Sequence, residues 1–254
     1  DDLEEARDKV RWGRARKSRV IDEKEKLATA YHEAGHAVVQ YLEENADPIH
    51  KVTILPRGNM GGSTMSLPEK DRSNYSRRWC FAMIKTGLAG RIAEEMFTGD
   101  INTGAFGDIR QVTGLVRKMV RDWGMNDRVG FVYYGEDDNK PTFDFGGGRE
   151  YSEETARAID EEVKKLIDAQ YEETRKLLEA NRDRVDALAK ALMRYETLDT
   201  SDVDRIMKGE NLTKPTVGDL LEKEQSRRGT VIQPGTTDAE PDVRLGGGPL
   251  PAPG

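Results

Sequence analysis

The sequence predicts a mainly α-helical domain with a small β-hairpin beside its first long helix. Three observations lead there. Apolar residues recur at helical spacing along six stretches of the chain, whereas only the region around Ile49–Leu67 is rich in β-branched residues and split by a turn. Charged residues make up 34% of the 254 residues against 36% hydrophobic ones, at a mean hydropathy of −0.76. That balance calls for long exposed helices or a disordered portion.

The elements follow in order. Residues 1–21 are charged and helix-prone, with six basic residues between Lys9 and Arg19. They read as a solvated connector rather than a nucleic-acid patch. Asp22, followed by Glu25, marks the start of a helix that runs through Tyr31, Val38 and Leu42 to about Glu44, and Asp47-Pro48 ends it. Ile49–Leu55 and Ser63–Leu67 form the two strands of the hairpin, joined by the turn-like Arg57–Gly62. A helix is expected over Asn74–Phe97, stopped by Thr98-Gly99, and then a glycine-containing loop, Asn102–Gly107. The next helix starts near Asp108 and repeats Ile109, Val112, Leu115, Val116, Met119, Val120 and Trp123 at helical spacing, with Gly124 as its stop.

Residues 125–150 read as loop, with Phe131–Tyr134 the best strand candidate and Gly146–Gly148 flexible. A long helix begins at Ser152, with Glu153 and Glu154 at its positive end and one apolar stripe from Ala156 to Leu178. Shorter helices hold Val185–Met193 and Ser201–Lys208. The folded domain is expected over 22–210. Residues 211–254 read as a disordered tail, since residues 234–254 alone hold five prolines and five glycines.

Composition excludes several classes. A net charge of −7 does not suit a general nucleic-acid binder. A single cysteine, Cys80, excludes an internal disulfide framework and a cysteine-rich zinc site. No run of apolar residues is long enough to span a bilayer. The chain opens on Asp1-Asp2-Leu3 without an initiator methionine, and we expect it to be part of a longer protein.

The segment Tyr31-His32-Glu33-Ala34-Gly35-His36 matches H-E-x-x-H. Residues four apart share one helix face, so both imidazoles can reach one metal ion. Two imidazoles plus a carboxylate suit zinc, and Glu33 can take the proton of an attacking water. Two of the three histidines lie in this motif. The third, His50, reads as a partly exposed strand residue. The third ligand is then a carboxylate, and the residues leave two regions open. Glu94 and Glu95 sit late in their helix. Asp108 falls on one stripe with Val112, Leu115 and Met119, where a carboxylate needs a partner such as a cation, although Asp is also an ordinary N-cap.

YHEAGHAVV, HKVTILPRG, GLAGRIAEEMFTGDINTGAFGDIRQVT, VRDWGM and the closing MRYETLD together resemble the peptidase domain of FtsH-type membrane-anchored, ATP-dependent zinc metalloproteases. The resemblance covers about residues 3–208 in order. It implies a helical metalloprotease domain with one zinc per chain held by His32, His36 and Asp108, and Glu33 as general base. Glu94 and Glu95 then become candidates for supporting the ligands. Asn is common in the family where Gly107 stands here. An extended substrate strand could pair with the edge formed by Gly61, Gly62, Ser63, Thr64 and Met65.

The resemblance further implies unfolded or membrane-protein substrates and a homo-oligomer, a hexamer. It also implies a parent anchored at the cytoplasmic side of the bacterial inner membrane. No phosphate-binding G-x-x-x-x-G-K-[ST] loop occurs, so ATP and Mg belong to an ATPase module outside this chain, and residues 1–21 would connect to it.

Overall fold

The computed structural model describes residues 9–10, 22–56, 61–67, 73–135, 151–216 and 219. The expected connector (9–10 apart), residues 57–60 of the expected turn, the glycines 146–148 and the tail beyond 216 (219 apart) lie outside the described residues.

Helix α1 (Glu23–Leu42) starts at Asp22, whose carboxylate accepts from the Lys24 amide, and Glu23 and Glu25 favour the positive end of the helix. The hairpin is present: β1 (Ile49–Thr53) pairs antiparallel with β2 (Ser63–Ser66), with Val52 opposite Thr64. Nothing in the sequence announces a third strand. Yet β3 (Thr197–Asp199) pairs antiparallel with the other side of β1, Leu198 opposite Val52, giving the order β2-β1-β3. Three residues are too few to show alternation, and pairing with β1 makes them a strand.

The reverse holds at Phe131–Tyr134, expected as a strand and found irregular. Phe131 is 96% exposed, and the Tyr134 amide donates to the Arg121 carbonyl instead of to a ladder. Among the described residues no strand runs beside it.

Helix α2 (Arg77–Thr98) is capped by Ser76, three residues later than Asn74 would give, and ends at Gly99 with φ +74°. A 3-10 turn (Thr103–Ala105) feeds α3 (Phe106–Arg121), so Asp108 lies inside the first helical turn and is not the N-cap. Ile109, the first of the apolar residues at helical spacing, is exposed, and burial on α3 begins only at Val112. Helices α4 (Glu153–Ala180, capped by Ser152), α5 (Arg182–Tyr195) and α6 (Thr200–Met207, capped by Asp199) follow.

These elements enclose two cores. The first joins α1, the sheet, the later half of α2, α5 and α6 around Val38, Val52, Ile92, Leu188 and Leu192. The second joins the start of α2 with α3 and α4 around Cys80, Ile84, Val116, Met119 and Ile159. Leu88 packs against both, so α2 ties them together. The two helices that matter most for the site nearly touch: a Cβ on Gly35 of α1 would stand 2.5 Å from the Ala89 carbonyl oxygen of α2.

The chain divides into compact units Asp1–Lys214 and Pro215–Gly254. Leu212 packs on the first core, and Lys214 donates to the Thr197 carbonyl and pairs with Asp202. Contacts of the first unit thus continue past residue 210, where the tail was expected to begin.

Candidate metal centre

His32 and His36, one turn apart on α1, bring their Nε2 atoms to 3.0 Å with the rings edge to face. The first turn of α3 places Asp108 Oδ2 3.2 Å from His32 Nε2 and 3.6 Å from His36 Nε2. Their donor atoms all lie within 4.8 Å of one another. Ligands about 2.0–2.1 Å from a tetrahedral zinc stand roughly 3.4 Å apart, so two nitrogens and one oxygen at this spacing fit that ion.

Neighbours fix how the donors point. His36 Nδ1 lies 2.6 Å from the Thr86 carbonyl oxygen, which can only accept, so Nδ1–H donates there and the Nε2 lone pair faces the cluster. His32 Nδ1 lies 3.6 Å from Glu94 Oε2, and Glu94 is buried. The Asn102 side-chain amide donates to Glu94 Oε1, while Asn102 Oδ1 accepts from the Gly104 amide at 2.6 Å. Glu94 therefore links the histidine helix to the turn that delivers Asp108. Gly90 supplies the room: a Cβ there would stand 2.5 Å from His36 Nε2 and 2.7 Å from His32 Nε2.

The charges respond to this crowding. Burial works against a charged His32, but hydrogen bonds to Asp108 and Glu94 outweigh it and push its pKa up to about 10. Burial also opposes a charged Asp108, yet the two histidines hold its carboxyl far below the usual range. Burial raises the pKa of Glu33.

Glu33 is 4% exposed, and its Oε2 accepts from Thr64 Oγ1 at 2.8 Å. Gly62 lets β2 come this close, since a Cβ there would stand 2.8 Å from Glu33 Oε1. Of the expected edge, Ser63, Thr64 and Met65 belong to β2, with Gly61 and Gly62 just before it, and Met65 is turned into the interior. Among the described residues, strand β2 lies at the sheet edge. Glu95, by contrast with Glu94, accepts from Tyr171 of α4, because adjacent residues point about 100° apart on a helix. His50 lies on β1, partly buried.

A cleft of about 1260 Å³ runs past Glu33, both histidines and Asp108. The sequence pattern of Peptidase family M41 matches residues 19–206. The chain belongs to peptidase family M41. Among M41 relatives, it is 50% identical over 216 residues to the "ATP-dependent zinc metalloprotease FtsH 2" of Methylacidiphilum infernorum (isolate V4), covering 84% of this chain and 34% of that protein. It is 46% identical over 215 residues to "FtsH 4" of Sorangium cellulosum (strain So ce56), covering 83% and 33%. The FtsH of Magnetococcus marinus (strain MC-1) is 40% identical over 265 residues, covering 96% and 39%. The chain thus spans about a third of the length of these curated relatives. No helix of the described residues is long and apolar enough to cross a membrane.

Three parts of this candidate centre were not read from the sequence: the Thr86 carbonyl, the Asn102 link and the space left by Gly90. A backbone carbonyl leaves no mark in a sequence. Gly90 does leave one, because a glycine inside a helix costs about 1 kcal/mol relative to alanine and calls for a local reason.

Proposed function

We propose that this chain is the zinc-dependent endopeptidase part of a membrane-anchored, ATP-dependent protease that cleaves unfolded or misassembled proteins. The observation that carries the reading is the convergence of His32, His36 and Asp108 beside a buried Glu33. His32, His36 and Asp108 hold one zinc per chain. When bound, zinc polarises a peptide carbonyl and makes a water more acidic. Glu33 takes a proton from the attacking water on its carboxylate and returns it to the departing nitrogen. Thr64 Oγ1 holds that carboxylate in place, and Glu94 orients His32. The edge of β2 aligns an extended substrate by backbone hydrogen bonds, which suits broad sequence tolerance.

The names of the relatives, ATP-dependent zinc metalloproteases of which this chain spans about a third, support a wider assembly with an ATPase part. Residues 1–21 connect this domain to an ATPase module, where ATP and Mg act. The parent is a homohexamer anchored at the cytoplasmic side of the bacterial inner membrane. Residues 22–210, extended by the contacts of Leu212 and Lys214, form the peptidase domain, and the remainder is a tail.

Two variants test the site. Glu33→Gln is expected to keep its zinc and lose casein hydrolysis on the order of a hundredfold or more. Asp108→Ala is expected to lose most of its zinc, measured by elemental analysis. Unchanged turnover in zinc-loaded Glu33→Gln would remove Glu33 as the base. Full zinc occupancy in Asp108→Ala would remove Asp108 as a ligand.

A further inference from the structure

The cleft reaches well beyond the candidate metal centre. Its lining includes three aromatic residues grouped together, Tyr75, Trp79 and Trp123. Tyr75 lies just before α2, Trp79 in its first turn and Trp123 just after α3. The Tyr75 ring sits 4.5 Å from that of Trp79 and, stacked at 20°, 6.3 Å from that of Trp123. Trp79 packs partly on the second core. Tyr75 and Trp123 belong to neither core and remain 45% and 36% exposed. Large exposed aromatics grouped in a cleft mark a place where something apolar lands.

The direction of the cleft says what lands there. Gly62 and Thr64 lie against Glu33, while Ser66, further along β2, accepts from Gln40, seven residues along α1. Strand β2 therefore leads away from the metal centre along α1. Helix α2 runs the same path in reverse, from Gly90 beside the histidines back to Trp79. Eleven helical residues at 1.5 Å each put the aromatic wall on the order of 15 Å from the centre. A peptide extended along β2 rises about 3.3 Å per residue. It reaches the wall roughly four or five residues from the bond that is cut.

We propose that Tyr75, Trp79 and Trp123 form a distal substrate subsite that takes a bulky aromatic or long aliphatic side chain four or five residues from the scissile bond. This rests on the peptidase reading above. The commitment to substrate comes from continuity: the wall lines the same cleft as Glu33, His32, His36 and Asp108. Such a subsite would favour sequences that bury apolar residues when folded, so it would select unfolded chains without demanding a residue at the cut itself.

The test uses the full, zinc-loaded chain and quenched-fluorophore peptides that share one cleavable centre. The peptides carry either Phe or Ser four and five residues to one side of it, or to the other. The expected result is a kcat/KM preference for Phe of about three- to tenfold on one side, the size of a stacking contact. That ratio should fall towards one in Tyr75→Ala and Trp123→Ala and persist in Trp123→Phe. Unlabelled Phe and Ser peptides are also titrated against Glu33→Gln by tryptophan fluorescence, with the same loss of discrimination expected when Tyr75→Ala or Trp123→Ala is combined with Glu33→Gln. This arm does not need turnover, so an inactive chain would sink the peptidase reading while the subsite was still judged. No preference for Phe in the unsubstituted chain, or one that survives both alanine variants, overturns the subsite. So does a fall in oligomer mass in Trp123→Ala with the ratio intact, which would make the wall a contact between copies.

Discussion

The two halves of the candidate metal centre are built in different ways. The histidine half stands on the seam between α1 and α2, where Ala34, Ala37, Ala89 and Ala93 are fully buried and Gly35 lies against the Ala89 carbonyl. There a backbone oxygen and a buried carboxylate hold the two rings. The aspartate half hangs on a short turn. Its side chain is 28% exposed against 9% for His36, and neighbouring Phe106 is 69% exposed. The Asn102 link to Glu94 is what ties that turn to the seam. The contrast teaches that packing fixes two donors in advance, whereas the third depends on a few polar contacts.

Substitutions can break this contrast or sharpen it. The largest effect is expected at the seam itself. In Gly35→Ala the new methyl meets backbone, 2.5 Å from the Ala89 oxygen, and backbone cannot step aside. The expected loss of stability is about 3 kcal/mol, read as a lower chemical-denaturation midpoint. Unchanged stability would mean that the helices are not packed this tightly.

Gly90→Ala separates fold from site. The three atoms nearest its methyl all belong to the His32 and His36 rings, 2.5–2.7 Å away, and a side chain can shift where backbone cannot. Zinc affinity should fall on the order of a hundredfold, while stability in the presence of a chelator holds or rises, since alanine favours the helix. A parallel loss of both would show that the fold, too, depends on that space.

Asn102→Ala strikes the aspartate half. Zinc affinity should drop about tenfold, and amide exchange should quicken over Asn102–Ala105 while α1 stays protected. Faster exchange along α1 as well would erase the distinction between the halves. The smallest effect is expected from removing residues 211–254. This trims the seam's own core at Leu212 and leaves Asp202 without Lys214. A loss of about 1 kcal/mol corresponds to a melting temperature lower by roughly 2–4 °C, with zinc content unchanged. Lost zinc would tie the aspartate half to the far end of the chain.

Much of this molecule is legible in its sequence alone. The spacing of His32 and His36 places both imidazoles on one face of any α-helix, and Glu33 comes with them, because helix geometry is local. The helical periods, the hairpin and the helix starts at Asp22 and Ser152 are local in the same sense. Other features are out of its reach. Periodicity cannot choose between Glu94 and Glu95, since the choice depends on which face of α2 meets α1. It places Phe131–Tyr134 in a strand and passes over Thr197–Asp199, since a strand is made by its neighbour. It cannot bring Trp123 to Tyr75, which needs the end of α3 laid beside the start of α2. Local sequence sets which face of each element is apolar or reactive, because backbone geometry repeats every few residues. Which faces meet is decided by long-range burial, and that exists only once the chain has packed.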